Sequence, residues 1–598
     1  MQFPYYQEVA RYRDMTTAFG GYNHQLSCQE GQFFDMKNMT SEYFPALSPR
    51  KSRGIVKSFV NPQGILDKED LLWIDDQKLY INGEEKYLGG VTISSDSPKT
   101  LAKMGAFVII MPDRIWYNVD NGECGYMEHK NTIAKGSLIS FTLCEANGSA
   151  LTWHDASYYD SHEPKDGDYM MSNINGKTSL KVYAATTKLW MTVATTYVQI
   201  NAAGIGKGFE KGDGVKLTID SGVSGLSNIF VNEEKDEEGN VIKNSTNTTI
   251  IDKTDDCITV VGILGNTVTV TDKELTVERK VPDMDFITEC NNRLWGCSKD
   301  GHEIYCCKLG DVKNWNCFAG IATDSWAATI GSDGKFTGAI TYLGYPMFFK
   351  EDCFIKVSVS AMGAHQTKET KCRGVQKGSH RSLSILNETL YYKSSTCVCG
   401  YNGSLPYSIS DEMGDVKYYD AVAGSIGDRY YISMRDAKGV YSMFVYDAKT
   451  GIWCKEDNAN VLSFCKHYDE LYFIDADEKK MKSVGGTLLY DVPEKAAEGR
   501  FNWLVESGAI GYSSPDNKYV SGINLRITLE LGTNVDFYLQ YDSCGEWEHK
   551  FNMSGKGTRT FSVPIIPKRC DHFRYKLTGK GGCKIHSITK TTEQGSDI

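Results

Sequence analysis

A chain of 598 residues exceeds what one hydrophobic core supports, so two to four domains are expected. Aromatic residues make up 12% of it, with 35 Tyr against 14 Pro, which fits extended β structure in which rings pack on pleated surfaces. The net charge of −11 argues against a protein that grips a phosphate backbone through clustered Lys and Arg, though not against one past which DNA slides.

The opening MQFPYYQEVARYRD has neither the basic start nor the apolar stretch of an export signal, and no run is long and apolar enough to span a membrane. The 18 Cys are scattered, many inside strand patterns (Cys306, Cys307, Cys353, Cys465), and are read as reduced thiols acting as small apolar residues.

Residues 1–54 read as an extended arm. Turn residues run through them without a sustained period, and aromatics stand singly at Tyr22, Phe33, Phe34, Tyr43 and Phe44. Such a segment cannot bury itself and is expected to lie along a partner surface as an assembly element. From residue 55 to 130 strand–turn–strand units begin, as in DLLWIDDQKLYING (70–83) and AFVIIMPDRIWYNVDNG (106–122). The texture changes over 131–280. Strand-like runs there (188–200, 266–281) alternate with Gly-rich or charged loops, including EEKDEEGN (233–240), so this is read as an inserted β domain.

The unit pattern resumes over 281–492. Strand starts at Arg293, Pro346, Asn387, Arg429 and Glu470 lie 53, 41, 42 and 41 residues apart, in the range of propeller blades. The clearest grammar is NNRLWGCSKDGHEIYCCKLGDVKNWNCF (291–318). Trp295 sits on one strand, Gly301 takes the tight turn, Tyr305 sits on the returning strand, and Gly310, Asp311, Asn314 and Trp315 form a polar corner. With the two early units, a ring of six to eight blades is expected. A polar linker (493–500) leads to six short strand signals within 501–590, read as a β-sandwich ending in a polar tail. The fold class is therefore all-β: a β-propeller of about six to eight blades, an inserted β domain and a C-terminal β-sandwich over 493–598.

Chemistry is sparse. GIGKGFEKG (204–212) lacks the P-loop pattern, Cys397 and Cys399 have the wrong spacing for a zinc knuckle, and no H-E-x-x-H occurs. Asp in DADE (475–478) and YDS (541–543) is read as turn capping rather than calcium binding. No catalytic residue, cofactor or metal ligand is assigned, and the chain is read as no enzyme.

The arm GGYNHQLSCQEGQFFDMKNMTSEYFPALSPRKSRG, with its N-x-T stretch and its P-x-L-x-x-R close, resembles the start of phage and prophage structural proteins. The segment 293–318 resembles their blade motif K-x-G-D-P-x-N-W, with Val312 in place of proline. The likeness is to β-propeller tail proteins such as the tail nozzle (tail tubular B or stabilisation) proteins of short-tailed phages. That resemblance implies a virion protein assembled in the host cytoplasm. It implies a cyclic homo-oligomer, with a hexamer favoured, lying beneath a portal or adaptor ring, through which DNA passes without specific binding. The alternative reading is a glycan-binding or glycan-cleaving propeller at a cell surface or at a receptor-binding tail tip, with exposed aromatics stacking on sugars.

Overall fold

The computed structural model describes residues 10–96, 98–174, 177–318, 320–360, 363–486, 496–511 and 516–594. Residues 493–495 of the expected linker and 595–598 of the expected tail lie outside the described residues. The described chain is all-β, with three single-turn 3-10 segments at Ala156–Asp160, His380–Ser382 and Asp411–Met413.

Seven blades form one ring among the described residues. Six are four-stranded meanders, spanning 62–86, 100–126, 284–329, 338–371, 384–408 and 418–455. The seventh takes three strands from 461–483 and a fourth, Gly54–Ser58, from the other end of the sequence, on which the two-residue strand Ala496–Ala497 adds a fifth. Each neighbouring pair of blades shares an apolar seam. Blades 1 and 2 meet through Leu72, Ile74, Val108 and Ile110, and blades 4 and 5 through Phe349, Phe354, Tyr392 and Tyr401. Trp295 fills the seam between blades 3 and 4. The ring closes where Trp73 and Leu71 of blade 1 pack on Tyr472 and Ile474 of blade 7. His467 Nδ1 lies 2.7 Å from Asp67 Oδ1 across that same seam. Alternating strand residues supply two buried faces per blade, so each sheet needs a neighbour on both sides, and only a closed ring provides one everywhere.

One side chain links parts of the ring that are not neighbours. Arg381, between blades 4 and 5, donates to the carbonyls of Leu462 in blade 7 and Lys99 ahead of blade 2, at 2.8 and 3.3 Å.

Residues 129–279 leave the ring between blades 2 and 3 and return to it. They build a nine-stranded sheet and a smaller four-stranded one over 154–192. Leu217, Ile219, Ile250, Val260 and Val277 form its core. The acidic stretch is a hairpin within this body, and Asp236 Oδ1 accepts the backbone N–H groups of Glu238 and Asn240 at its turn.

The C-terminal β-sandwich is made from one nine-stranded sheet folded over its own core. Two pairs of expected short strands are each a single long strand, Lys518–Tyr541 and Glu548–Val563. The register of the first shifts between Leu529 and Thr533, around Gly532 at φ +77°, and this bend turns its halves toward each other. Leu525 and Ile527 on one half and Phe537 and Leu539 on the other then bury in the same core. The expected polar tail is strand through Gln594, paired with Arg11–Thr16.

The free assembly arm is corrected by this packing. Its partner surface is its own chain. Gln32–Lys37 pairs with Asn502–Ser507 of the C-terminal sheet, and Tyr22 packs on Phe444 of blade 6 at 5.4 Å. Phe33 is fully buried against Tyr575, and Phe34 is half-buried between His24 and the Arg574 guanidinium. Tyr43 and Phe44 remain exposed. Phe33→Ala is expected to cost about 3–5 kcal/mol through the cavity it leaves, read as a lower midpoint in chemical unfolding; an unchanged midpoint would remove the arm from the core.

Candidate functional site

Of the residues singled out in the blade motif, Asn314 ties blade 3 to the inserted body, while the others shape the blade and its seams. Gly301 turns at φ +93° and Gly310 at φ +75°, where a side chain would be strained. Tyr305 donates its hydroxyl hydrogen to Glu303. Asp311 Oδ2 accepts from Asn314 Nδ2 at 2.5 Å. The same amide donates to Asp213 Oδ1 at 3.0 Å, while Asn314 Oδ1 accepts the Gly214 N–H at 2.8 Å. Asp213 in turn pairs with the buried Arg279 at 2.5 Å. Trp315 donates to the Val312 carbonyl at 2.8 Å and packs on blade 2. Arg293 braces the long corner by donating to the carbonyls of Cys307, Asp324 and Ala322.

The arm forms a second joint. Gly21 has φ +77°, and a Cβ there would overlap Ile452 and the Trp453 carbonyl. Asn38, at φ +58°, bridges three bodies. Its N–H donates to the Glu456 carbonyl at 2.6 Å, its Nδ2 to the Asn502 carbonyl at 2.8 Å, and its Oδ1 accepts from Arg50 Nε at 2.9 Å. Arg50 forms a two-point bridge to Glu498 at 2.7 and 3.0 Å and stacks on Phe501 at 4.2 Å. Arg53 is buried; it donates to Glu456, to Asp457 at 3.2 Å and to the Val484 carbonyl at 3.3 Å.

Burial opposes charge on Arg53, but Glu456 and Asp457 outweigh it and hold its pKa above the ordinary value. Burial likewise raises the pKa of Asp457, and the two guanidiniums more than reverse this, leaving it below the usual carboxylate range. Glu498 is lowered in the same way, chiefly by its bonds from Arg50 against the cost of burial.

Over this joint lies a polar cleft of about 640 Å³. Ser41 and Phe44 of the arm, Asp428, Arg429 and Asp447 of blade 6 and Glu470 of blade 7 line it. Asp447 Oδ1 caps the turn at Lys449 and Thr450, and its Oδ2 accepts from Ser41 at 2.8 Å. Glu470 Oε1 accepts the N–H groups of Leu471 and Gly485 at 3.0 and 2.8 Å. Lys51, Arg429 and Lys449 also line the cleft, so it presents both charge signs beside an exposed phenyl ring. The cleft joins residues some 400 positions apart, and no local spacing in the sequence announces it.

Of the two other acidic motifs, Asp475 caps its own turn, accepting the N–H groups of Asp477 and Glu478, whereas Asp542 accepts those of Asp571 and His572, about 30 residues on. Among the described residues no group of three or more His, Cys, Asp or Glu is placed to hold a metal ion.

No family model matches the chain, and no curated protein does. Solved structures do. An exo-β-1,3-galactanase from Phanerochaete chrysosporium is 9% identical over 52% of this chain and 96% of its own, with a TM-score of 0.21. An auxiliary nutrient binding protein from Bacteroides thetaiotaomicron is 10% identical over 68% and 99%, with a TM-score of 0.21. An engineered glycoside hydrolase displaying endo-xylanase and exo-arabinofuranosidase activity is 8% identical over 53% and 97%, with a TM-score of 0.19. The expectation that the chain is no enzyme is overturned here: glycoside hydrolases stand among its structural matches, and the exclusion of activity is dropped. Likeness at these TM-scores carries no argument for a substrate or a reaction.

The ionic joint has a pH signature. The folded-state pKa values of Asp457 and Glu498 lie below their unfolded values, so the stability they contribute is fully present above about pH 4–5. It is lost as pH falls through the folded values. Asp457→Asn is expected to flatten the acid limb of a stability–pH curve below about pH 4.5; an acid limb with unchanged slope would show that the joint is not what acid breaks.

Proposed function

We propose that the chain is a structural protein of a phage tail, one rigid tile of a ring through which DNA passes. What supports the reading is where the phage-type motif residues sit. Gly21, Asn38 and Arg50 of the arm and Asn314 of the blade motif are the residues that lock propeller, insert and C-terminal sheet to one another. A tile that bears load in a tube needs its domains fixed, and buried directional bonds between bodies fix them better than apolar contact alone. Identical tiles meeting head to tail close into a ring when the rotation allows, and the family resemblance favours six. The partners in this reading are a portal or adaptor ring and other tail proteins, within the virion. The acidic balance of the whole chain, 76 acidic against 65 basic residues, is compatible with a wall that does not hold passing DNA.

Electron microscopy and light scattering of the purified chain are expected to show a closed ring, alone or on addition of a portal ring. Duplex DNA is expected to elute from it unretained at physiological salt. A persistent monomer, or tight DNA binding with a steep salt slope, would contradict the reading.

A second reading, a glycan-binding or glycan-cleaving propeller, is favoured by one observation: the polar cleft beside the exposed Phe44 ring. It expects a saccharide to bind there and Phe44→Ala to weaken it by about tenfold or more, some 1.4 kcal/mol. Titration of a saccharide library with no binder, or binding indifferent to Phe44, would remove it.

A further inference from the structure

Blade 5 carries a pair of thiols whose surroundings differ from those of the packed cysteines elsewhere. Cys397 precedes the strand Val398–Tyr401 and Cys399 lies on it, two residues on, so both side chains take the same face. Their sulfurs are 3.5 Å apart. Cys399 is buried in the seam between blades 4 and 5, while Cys397 is partly exposed at its edge.

Donors converge on the Cys397 sulfur. Arg373 Nη1 donates to it at 3.5 Å and Thr396 Oγ1 at 3.6 Å, while Ser394 Oγ, whose hydrogen goes to the Cys397 carbonyl, lies 3.4 Å away beside the Cys399 sulfur. Beneath them the Lys393 ammonium is buried and bonded to the Ser394 carbonyl, with burial lowering its pKa to about 8. A thiol that serves only as apolar filling has no use for two polar donors and two nearby cations; a thiolate does. The hydrogen bond from Cys399 lowers the pKa of Cys397 and raises that of Cys399, which sets one as nucleophile and the other as the proton-bearing partner.

We propose that Cys397 and Cys399 form a redox site, in which Cys397 is oxidised by a small hydroperoxide and Cys399 resolves it to an intrachain disulfide. The Cys397 thiolate attacks one peroxide oxygen, the O–O bond breaks, and the departing hydroxide or alkoxide takes a proton from solvent. Cys397 is then a sulfenic acid. The Cys399 sulfur attacks the Cys397 sulfur, the S–O bond breaks, and the oxygen leaves as water with the Cys399 proton. With hydrogen peroxide the balance is two thiols and one peroxide to one disulfide and two waters. Closing from 3.5 Å to a disulfide of ~2.05 Å asks for a sulfur movement of about 1.5 Å at the end of a turn.

The test uses the full, reduced chain treated with one equivalent of hydrogen peroxide, blocked with N-ethylmaleimide and digested with trypsin. Cleavage after Lys393 and Lys417 leaves one peptide, 394–417, that carries both thiols and no other. That peptide is expected to lose two hydrogens and resist alkylation, while the exposed Cys544 stays alkylated. Cys399→Ser is expected to stop at a sulfenic acid on Cys397, trapped by dimedone. Cys397→Ser, with an unchanged circular dichroism spectrum, is expected to leave Cys399 unoxidised. Alkylation of both thiols while Cys544 is oxidised, or no dimedone adduct at Cys397 in Cys399→Ser, would overturn the proposal.

Discussion

Two buried guanidiniums carry the architecture. Arg50 and Arg53 leave the arm within four residues of each other and enter a space shared by blade 6, blade 7 and the approach to the C-terminal sheet. Neither could be buried alone, because an unpaired cation in a protein interior is prohibitively costly. Glu456 and Asp457 follow blade 6 and Glu498 precedes the C-terminal sheet, so the pairs tie two distant segments to the arm. Removing one partner of such a buried pair costs about 3–5 kcal/mol, whereas its net gain over apolar packing is small. Its role is therefore better described as fixing one arrangement than as adding stability. The neighbouring strand Gly54–Ser58 follows from this anchoring: once Arg53 is seated, the next residues are delivered to the open edge of blade 7. Ring closure and the C-terminal joint thus depend on the same short stretch.

How much of this could be read from sequence follows from how local each interaction is. The blades were legible because a strand–turn–strand unit is written in consecutive residues and repeats at intervals of 41 or 42, as from Pro346 through Glu470. The inserted body was legible as a loss of that interval. The closing strand was not, since GIVKS carries no mark that its partner lies some 425 residues away in Lys480–Ser483. The same holds for Asn314. Its spacing to Asp311 and Trp315 marks a corner, but Asp213 and Gly214, the groups it serves, belong to another body.

In the C-terminal sheet, Gly532, Gly555 and Gly557 fall in the gaps between the expected short strands, and in the fold they lie within two long ones. The arm does not bury itself alone, and the surface that covers it belongs to its own chain. Aromatics without a local period say that a surface is needed, not whose it is. Tyr22 and Phe33 find theirs on the same chain, while Tyr43, lying 3.6 Å from the Lys584 ammonium, and Phe44 stay at the surface. The polar cleft had no sequence signal because arm and blade turns meet only in the folded ring. The thiol pair had a partial one: the C-x-C spacing was visible, but Arg373 and Thr396 as donors were not.

The central claim is that residues 32–58 are a structural joint rather than an arm. Hydrogen–deuterium exchange of the intact chain tests it most directly, because exchange reads the opening of each segment separately. The account requires the amides of Gln32–Lys37 and Gly54–Ser58 to be protected to the same degree as the strands Tyr441–Asp447 of blade 6 and Glu470–Asp475 of blade 7, and to lose protection together with them as denaturant is added. Exchange of those two arm strands within seconds, while the blade strands stay protected, would contradict it.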